Sequence, residues 1–220
     1  MSKLDTFLRD FEQYTQLYDR KEDPQEHALT LRLREIGSEV RLGNTSWTML
    51  DLKAIVEWKR LKRVNPRIKN ETRNPPADVE RLLKFAFTVQ DERLKIEVLD
   101  LIHGVGPALV SAILTFTNPE HYGVIDYHAW NALRSFNQDL LRKGLARKRF
   151  RFKKHGSFTA SELLDYLDVI RGIAQRRNTS ARNVDKALFT YDKVNRTKEW
   201  TLAELSHVPM VDSKKNVLSS

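Results

Sequence analysis

LIHGVGPALVSAILTFTNPEHYGVIDYHAWNAL, residues 101–133, is the stretch from which the reading starts. Gly104 and Gly106 bracket Val105, and without Cβ atoms at both positions backbone N–H groups can come close to a ligand. Ala108, Val110, Ala112, Ile113 and Leu114 then form a mainly apolar helix. Its N-terminal N–H groups point back at the glycine turn, an arrangement suited to an anion such as phosphate. Eighteen residues beyond Ala108, Asp126 opens another helix beside Tyr127, His128 and Trp130.

Outward from this stretch, helical spacing dominates. Leu4, Phe7, Leu8, Phe11, Tyr14 and Tyr18 make one apolar stripe; Leu29, Leu33, Ile36 and Val40 make a second, with Asp23 as cap and Pro24 in its first turn. A third helix is expected over Thr48 to Lys62, with Leu52, Ile55 and Val56 inward. A long loop should follow from Arg63 to Pro76, where three prolines fall. Helices resume around Val79, Leu82, Leu83, Ala86 and Phe87, then Leu94, Val98 and Leu101, with Phe85 and Phe87 assigned to the core. Thr159 and Glu162 have capping-box spacing ahead of Leu163, Leu164, Leu167, Ile170 and Ile173. No alternating run is long enough for a strand. The expectation is an all-α chain, a single helical domain over 1–220 or two small lobes around a cleft, with a frayed polar tail at 211–220.

The 220 residues carry a net charge of +9, which favours a polyanionic partner. There is no cysteine, which excludes disulfides, a cysteine-held zinc and a cysteine-ligated iron–sulfur cluster. No apolar run reaches membrane-spanning length, and the opening MSKLDTFLRDFEQY lacks a signal-peptide core. The expected setting is intracellular, cytoplasmic or nucleoid-associated, with no membrane partner.

GVGPALVSAIL followed by YGVIDYHAWNAL resembles the helix-hairpin-helix DNA glycosylases over about 35 residues. The resemblance implies that Gly104, Val105, Gly106 and Ala108 contact a DNA phosphate, and that hairpin carbonyls hold a sodium or potassium ion bridging to double-stranded DNA. It implies a flipped target base, and Asp126 as the catalytic carboxylate beside the sugar. A carboxylate about 4 Å from the positive charge developing on the sugar ring is worth roughly 4 kcal/mol at an effective dielectric near 20. That is about a thousand-fold in rate. Read alone, Asp126 is a helix N-cap, and the two roles are compatible. Family members that also cut the strand carry a lysine two residues after the second hairpin glycine. The residue here is Ala108, which implies a monofunctional, water-using enzyme without lyase activity. Another lysine, Lys59 for example, has no spacing argument to place it there. His103 stands where the family usually has proline.

Two basic stretches fit such a role. From Arg142 to Lys154 there are eight positive residues and no acid, with Phe150 and Phe152 interleaved. Within it Arg147, Lys148, Arg149 and Arg151 are candidate phosphate contacts, and the two phenylalanines are assigned to the core. Trp58 to Arg73 adds Lys59, Arg60, Lys62, Arg63, Arg67, Lys69 and Arg73. Trp47, Trp58, Tyr127, His128 and Trp130 are candidate walls of a base pocket by residue type alone, since aromatics at helical spacing are commonly core. Two other readings stand beside the glycosylase: a non-catalytic helix-hairpin-helix DNA-binding protein, and a helical scaffold for a protein partner. A carboxylate next to phosphates burdens a pure DNA binder, so Asp126 favours catalysis.

Overall fold

Polar side chains cap the start of six of the twelve α-helices among the described residues. In the computed structural model, which describes residues 1–21, 24–41, 47–59, 65–153 and 157–205, Ser2 caps α1 (Lys3–Arg9). The chain then turns at Asp10 into α2 (Phe11–Lys21), so the first apolar stripe is divided between two helices. After α3 (Pro24–Arg41), Thr48 and Asp51 form a reciprocal capping box at the start of α4 (Met49–Trp58). Lys59 is the C-cap of this helix, residues 60–62 of the expected helix lie outside the described residues, and the loop expected after it contains a short helix, α5 (Asn65–Ile68). Then come α6 (Pro76–Thr88) and α7 (Glu92–Asp100), the latter capped by Asp91. Next are α8 (Pro107–Thr117), α9 (Tyr127–Ser135) and α10 (Asn137–Arg142). The predicted Thr159–Glu162 capping box is formed at α11 (Ala160–Arg177), and Ser180 caps α12 (Ala181–Asn195). A 3-10 turn covers Leu202–Leu205. The described residues are all-α, with no strand among them. Asp23 and the tail at 211–220 lie outside the described residues.

Two helix groups share one continuous core. In the first, α12 lies against α2, α9 and α11; in the second, α8 is surrounded by α3, α4, α7 and α11. The segment from Asn118 to Asp126 crosses between the groups, which places Asp126 at their junction. A buried ion network reinforces that junction. Arg182 of α12 pairs with both Glu26 of α3 and Asp185 of its own helix, and all three side chains are almost wholly buried. Buried pairs of this kind are costly to break by removing one partner, because the other charge is left without compensation.

The core departs from the expected one at four places. Phe85, Leu94 and Leu101 are exposed, as is Phe152, whereas Phe150 is buried. On α7 the inward positions are Ile96, Val98 and Leu99, continued by Ile102 beyond its end. The stripe is shifted because α6, α8 and α11 together choose which face of this short helix is covered. Among the described residues no helix is long and apolar enough to cross a membrane.

Candidate nucleic-acid interface and carboxylate site

Asp126 is delivered by an extended run whose backbone is pinned twice. Val124 donates its N–H to Asp185 Oδ2 at 2.9 Å, and Ile125 donates to Ser111 Oγ at 3.0 Å. Ser111 in turn donates to the Ala108 carbonyl at 2.9 Å, so the run is tied to the first turns of α8. The run lies close against its neighbours because residue 123 is glycine. A Cβ there would come within 2.8 Å of the Asp185 Cβ and 2.7 Å of Ile170 Cδ1. Tyr166 completes the support from α11, its hydroxyl reaching Asp185 Oδ1 at 3.1 Å and the Val124 carbonyl at 3.3 Å.

At the end of this run Asp126 is the N-cap of α9, accepting the Ala129 N–H through Oδ1 at 2.7 Å. Its Oδ2 makes no hydrogen bond among the described residues, so the cap uses only half of the carboxylate. The field of Asp126 is felt on two buried neighbours and on the half-buried Lys59. It raises the Tyr166 hydroxyl, which burial already drives well above its usual range, and it adds to the burial that raises Asp185, with Arg182 opposing. The third neighbour is Lys59, at the C-terminal end of α4. Burial pushes its ammonium down to about 8, and Asp126 is the charge that most opposes this fall.

The glycine turn joins α7 to α8. Gly104 has φ of +91°, a left-handed conformation, and a Cβ there would meet the Arg67 Cβ at 2.8 Å. Gly106 is the N-cap of α8 with no side-chain cap, and a Cβ on it would meet nothing within 4 Å. The turn is clamped through His103: its N–H donates to Asn74 Oδ1 and its carbonyl accepts from Asn74 Nδ2, both at 2.9 Å. Asn74 Nδ2 also reaches the Arg67 carbonyl at 3.1 Å. Part of the second basic stretch is thereby fastened to the turn, with Arg67, Lys69 and Arg73 exposed around it. Arg60, Lys62 and Arg63 lie outside the described residues. The carbonyl of Ile102 accepts from the Val105 N–H and that of His103 from Asn74 Nδ2, one hydrogen bond each.

The first basic stretch is an irregular segment held by Asn137, whose side chain pairs with both the N–H and the carbonyl of Phe150. Phe150 points inward, while Arg147, Lys148, Arg149 and Arg151 are exposed. Lys148 is paired with Asp165 at 2.6 Å. A cavity of about 510 Å³ opens beside this segment, lined in part by Lys148, Arg149, Arg151 and Glu162.

The five aromatic candidates separate. Trp47 is fully buried and stacked on Phe87. Trp130 is buried against Phe150 and Phe158, with its Nε1 on the Arg151 carbonyl, and it also lines the cavity beside the basic segment. His128 is held by Asp192, 2.7 Å from Nδ1. Although burial alone would raise Asp192, hydrogen bonds from His128 and Arg196 keep it below the usual carboxylate range. Tyr127 lies half-buried under Arg196. Trp58 is half-buried beside Lys59, its ring edge-on to Phe116 at 4.9 Å and its Nε1 donating to Glu26 at 3.0 Å. Sequence reasoning missed Ser111, Asn74, Arg182 and Asp185. Asp185 had a signal, a carboxylate on the same helical stripe as Ala181, Val184 and Leu188. No family model, curated protein or solved structure matches this chain.

Proposed function

We propose that the chain is a DNA N-glycosylase that removes a flipped damaged or modified base, with Asp126 as its catalytic carboxylate. The observation that carries this reading is the state of Asp126. The two residues before it are fixed by backbone bonds to Asp185 and Ser111, yet one of its oxygens makes no hydrogen bond among the described residues. A carboxylate needed only as a cap requires no such support. As the bond between C1′ and the base stretches, positive charge grows on the sugar ring. A fixed carboxylate stabilises that charge without having to reorganise at the moment of reaction.

DNA is held by phosphate contacts that do not read sequence. The open Gly106 with the uncapped start of α8, and the arginines and lysine around it, supply one group of contacts. Arg147, Arg149 and Arg151 supply another. A sodium or potassium ion at the carbonyls of Ile102 and His103 would add a bridge between turn and phosphate. Ala108 offers no amine, so from the turn itself water is the nucleophile.

A non-catalytic DNA-binding protein is the second reading, favoured by the cap bond that Asp126 does make. Base release from a panel of duplexes bearing damaged, mismatched or methylated bases separates the two. Wild type should free at least one base and Asp126→Asn should not, while both bind the duplex. Binding by both proteins with no release from any duplex would sink the glycosylase.

A further inference from the structure

The basic segment beside α9 carries one aromatic side chain that the core does not use. Phe152 is 63% exposed, whereas Phe150, two residues earlier, is buried. The backbone leading to the exposed ring is fixed. Asn137 pairs with both the N–H and the carbonyl of Phe150, and Trp130 Nε1 donates to the Arg151 carbonyl at 2.8 Å. Arg134, one turn beyond Trp130 on α9, lies over the Phe152 ring with its guanidinium carbon 5.3 Å from the centroid. The Arg134 Nε donates to Asn131 Oδ1 at 3.2 Å, and the buried Asn131 donates in turn to the Tyr127 carbonyl. A ring facing solvent is thus held by a pinned backbone and a positioned arginine. The charges around it are unevenly matched. Arg142 pairs with Asp139, Lys143 with Asp5, Lys148 with Asp165 and Lys153 with Glu162. Arg134, Arg147, Arg149 and Arg151 pair with no carboxylate among the described residues. The two acids of the adjoining cavity, Glu162 and Asp165, are both taken by lysines, so four arginines remain unmatched around one exposed ring.

We propose that this surface binds an unpaired stretch of DNA strand, Phe152 stacking on one of its bases and Arg147, Arg149 and Arg151 holding the phosphates beside it. The inference takes its DNA partner from the proposed function and adds a substrate class, duplex that adjoins a single-stranded stretch. It needs no base release. Arginines alone fit any polyanion. A flat ring exposed among them fits a strand whose bases are free, since bases inside a duplex already stack on their neighbours and offer no face. Such stacking tolerates sequence, because every base has a π-face. An acidic peptide would use the charges and leave the ring in water. A lipid surface would need a cluster of apolar side chains, and Phe152 is the one exposed large hydrophobic residue among those described in this segment. Position separates this contact from the reacting nucleotide. Asp126, Trp130 and Arg134 stand four residues apart along α9, which puts Arg134 about 12 Å from Asp126 along the helix axis. That is roughly the span of three or four nucleotides stacked in one strand. The ring is too far down the helix to take the place of the base at Asp126, and the unpaired stretch lies to one side of it.

The test titrates the full chain against fluorescently labelled, undamaged DNA and reads anisotropy. Three probes are compared: a blunt duplex, the same duplex with an unpaired tail of about ten nucleotides on either end of one strand, and the single strand alone. Wild type should bind a tailed duplex about tenfold more tightly than the blunt one. Phe152→Ala and Phe152→Leu should lose that advantage and bind the blunt duplex as wild type does, while Phe152→Trp should keep it. The ring is exposed, so these variants keep the core intact. Iodouracil placed in the tail should cross-link to Phe152 under light. Equal affinity for tailed and blunt duplexes, or an advantage that survives in Phe152→Ala, overturns the proposal. So does polyglutamate that displaces the single strand at equal charge, which would mark the surface as a site for acidic protein. Base release without a preference for tails overturns this inference and leaves the glycosylase standing. A preference that depends on Phe152, with no release from any damaged duplex, does the reverse. No binding to any DNA overturns both.

Discussion

Asp126 is the charge that most strongly holds Lys59 in its protonated form, although one residue caps α9 and the other ends α4. Lys59 is half-buried at the end of α4, and Asp126 uses one oxygen for its cap and makes no other hydrogen bond among the described residues. Removing the carboxylate should therefore act on the amine. In Asp126→Asn the Lys59 ammonium should titrate below 8, which lysine-selective ¹⁵N NMR can follow. Base release should fall by roughly two or more orders of magnitude. An unmoved Lys59 titration would show that the two groups are not coupled.

The same lysine should weaken the fold at neutral pH. Its ammonium titrates near 8 in the folded chain and near 10.5 when unfolded, so the unfolded chain binds more protons between these values. The cost is present in full below pH 8 and fades as pH rises toward 10.5. Lys59→Met should be more stable than wild type at pH 7 by at most about 3 kcal/mol. The gap should narrow by pH 9.5 in denaturant titrations. A gap that widens with pH would contradict the assigned shift.

Ser111→Ala should damage the site without touching it. Ile125 is fully buried, and its N–H would lose its acceptor. An unsatisfied buried donor costs about 1–3 kcal/mol. We expect a lower melting temperature together with slower base release, and little change in duplex affinity. Wild-type release from the variant would mean that Asp185 alone positions Asp126.

The two glycines of the turn should separate fold from binding. Gly104→Ala meets both a positive φ and the Arg67 side chain, so it should lower the melting temperature. Gly106→Ala has ordinary φ and open space, and should lose only the small advantage of glycine over alanine at an N-cap. Its methyl group would instead stand where a phosphate approaches, so duplex affinity should drop while stability is nearly kept. Full affinity in Gly106→Ala would remove the phosphate from that side of the turn.

Neutralising Arg147, Lys148, Arg149 and Arg151 together should weaken duplex binding and flatten its salt dependence. Lys148 is already paired with Asp165, so the slope should fall by about three rather than four. Identical salt slopes for the variant and wild type would mark this segment as a solvated loop.

How much of this was legible in the residues follows from the range of the forces involved. Capping is local, so Thr159 with Glu162 could be read directly, and Asp126 could be read as a helix start from its neighbours alone. The glycine turn was legible for the same reason, because left-handed backbone at Gly104 is a property of a few adjacent residues. Which face of α7 is covered was not, since Leu94 and Ile96 are both apolar and only α6, α8 and α11 choose between them. The fates of Trp47, Trp130 and Phe152 were decided in the same way, by partners distant in sequence. The sequence by itself determined an all-helical chain and a turn followed by a carboxylate at a helix start. Only the tertiary structure decided that one carboxylate oxygen makes no hydrogen bond among the described residues, that Ser111 and Asp185 hold the backbone just before it, and that Lys59 lies within its field. Burial and Coulomb interactions depend on distance through space, and spacing along the chain carries little of that information.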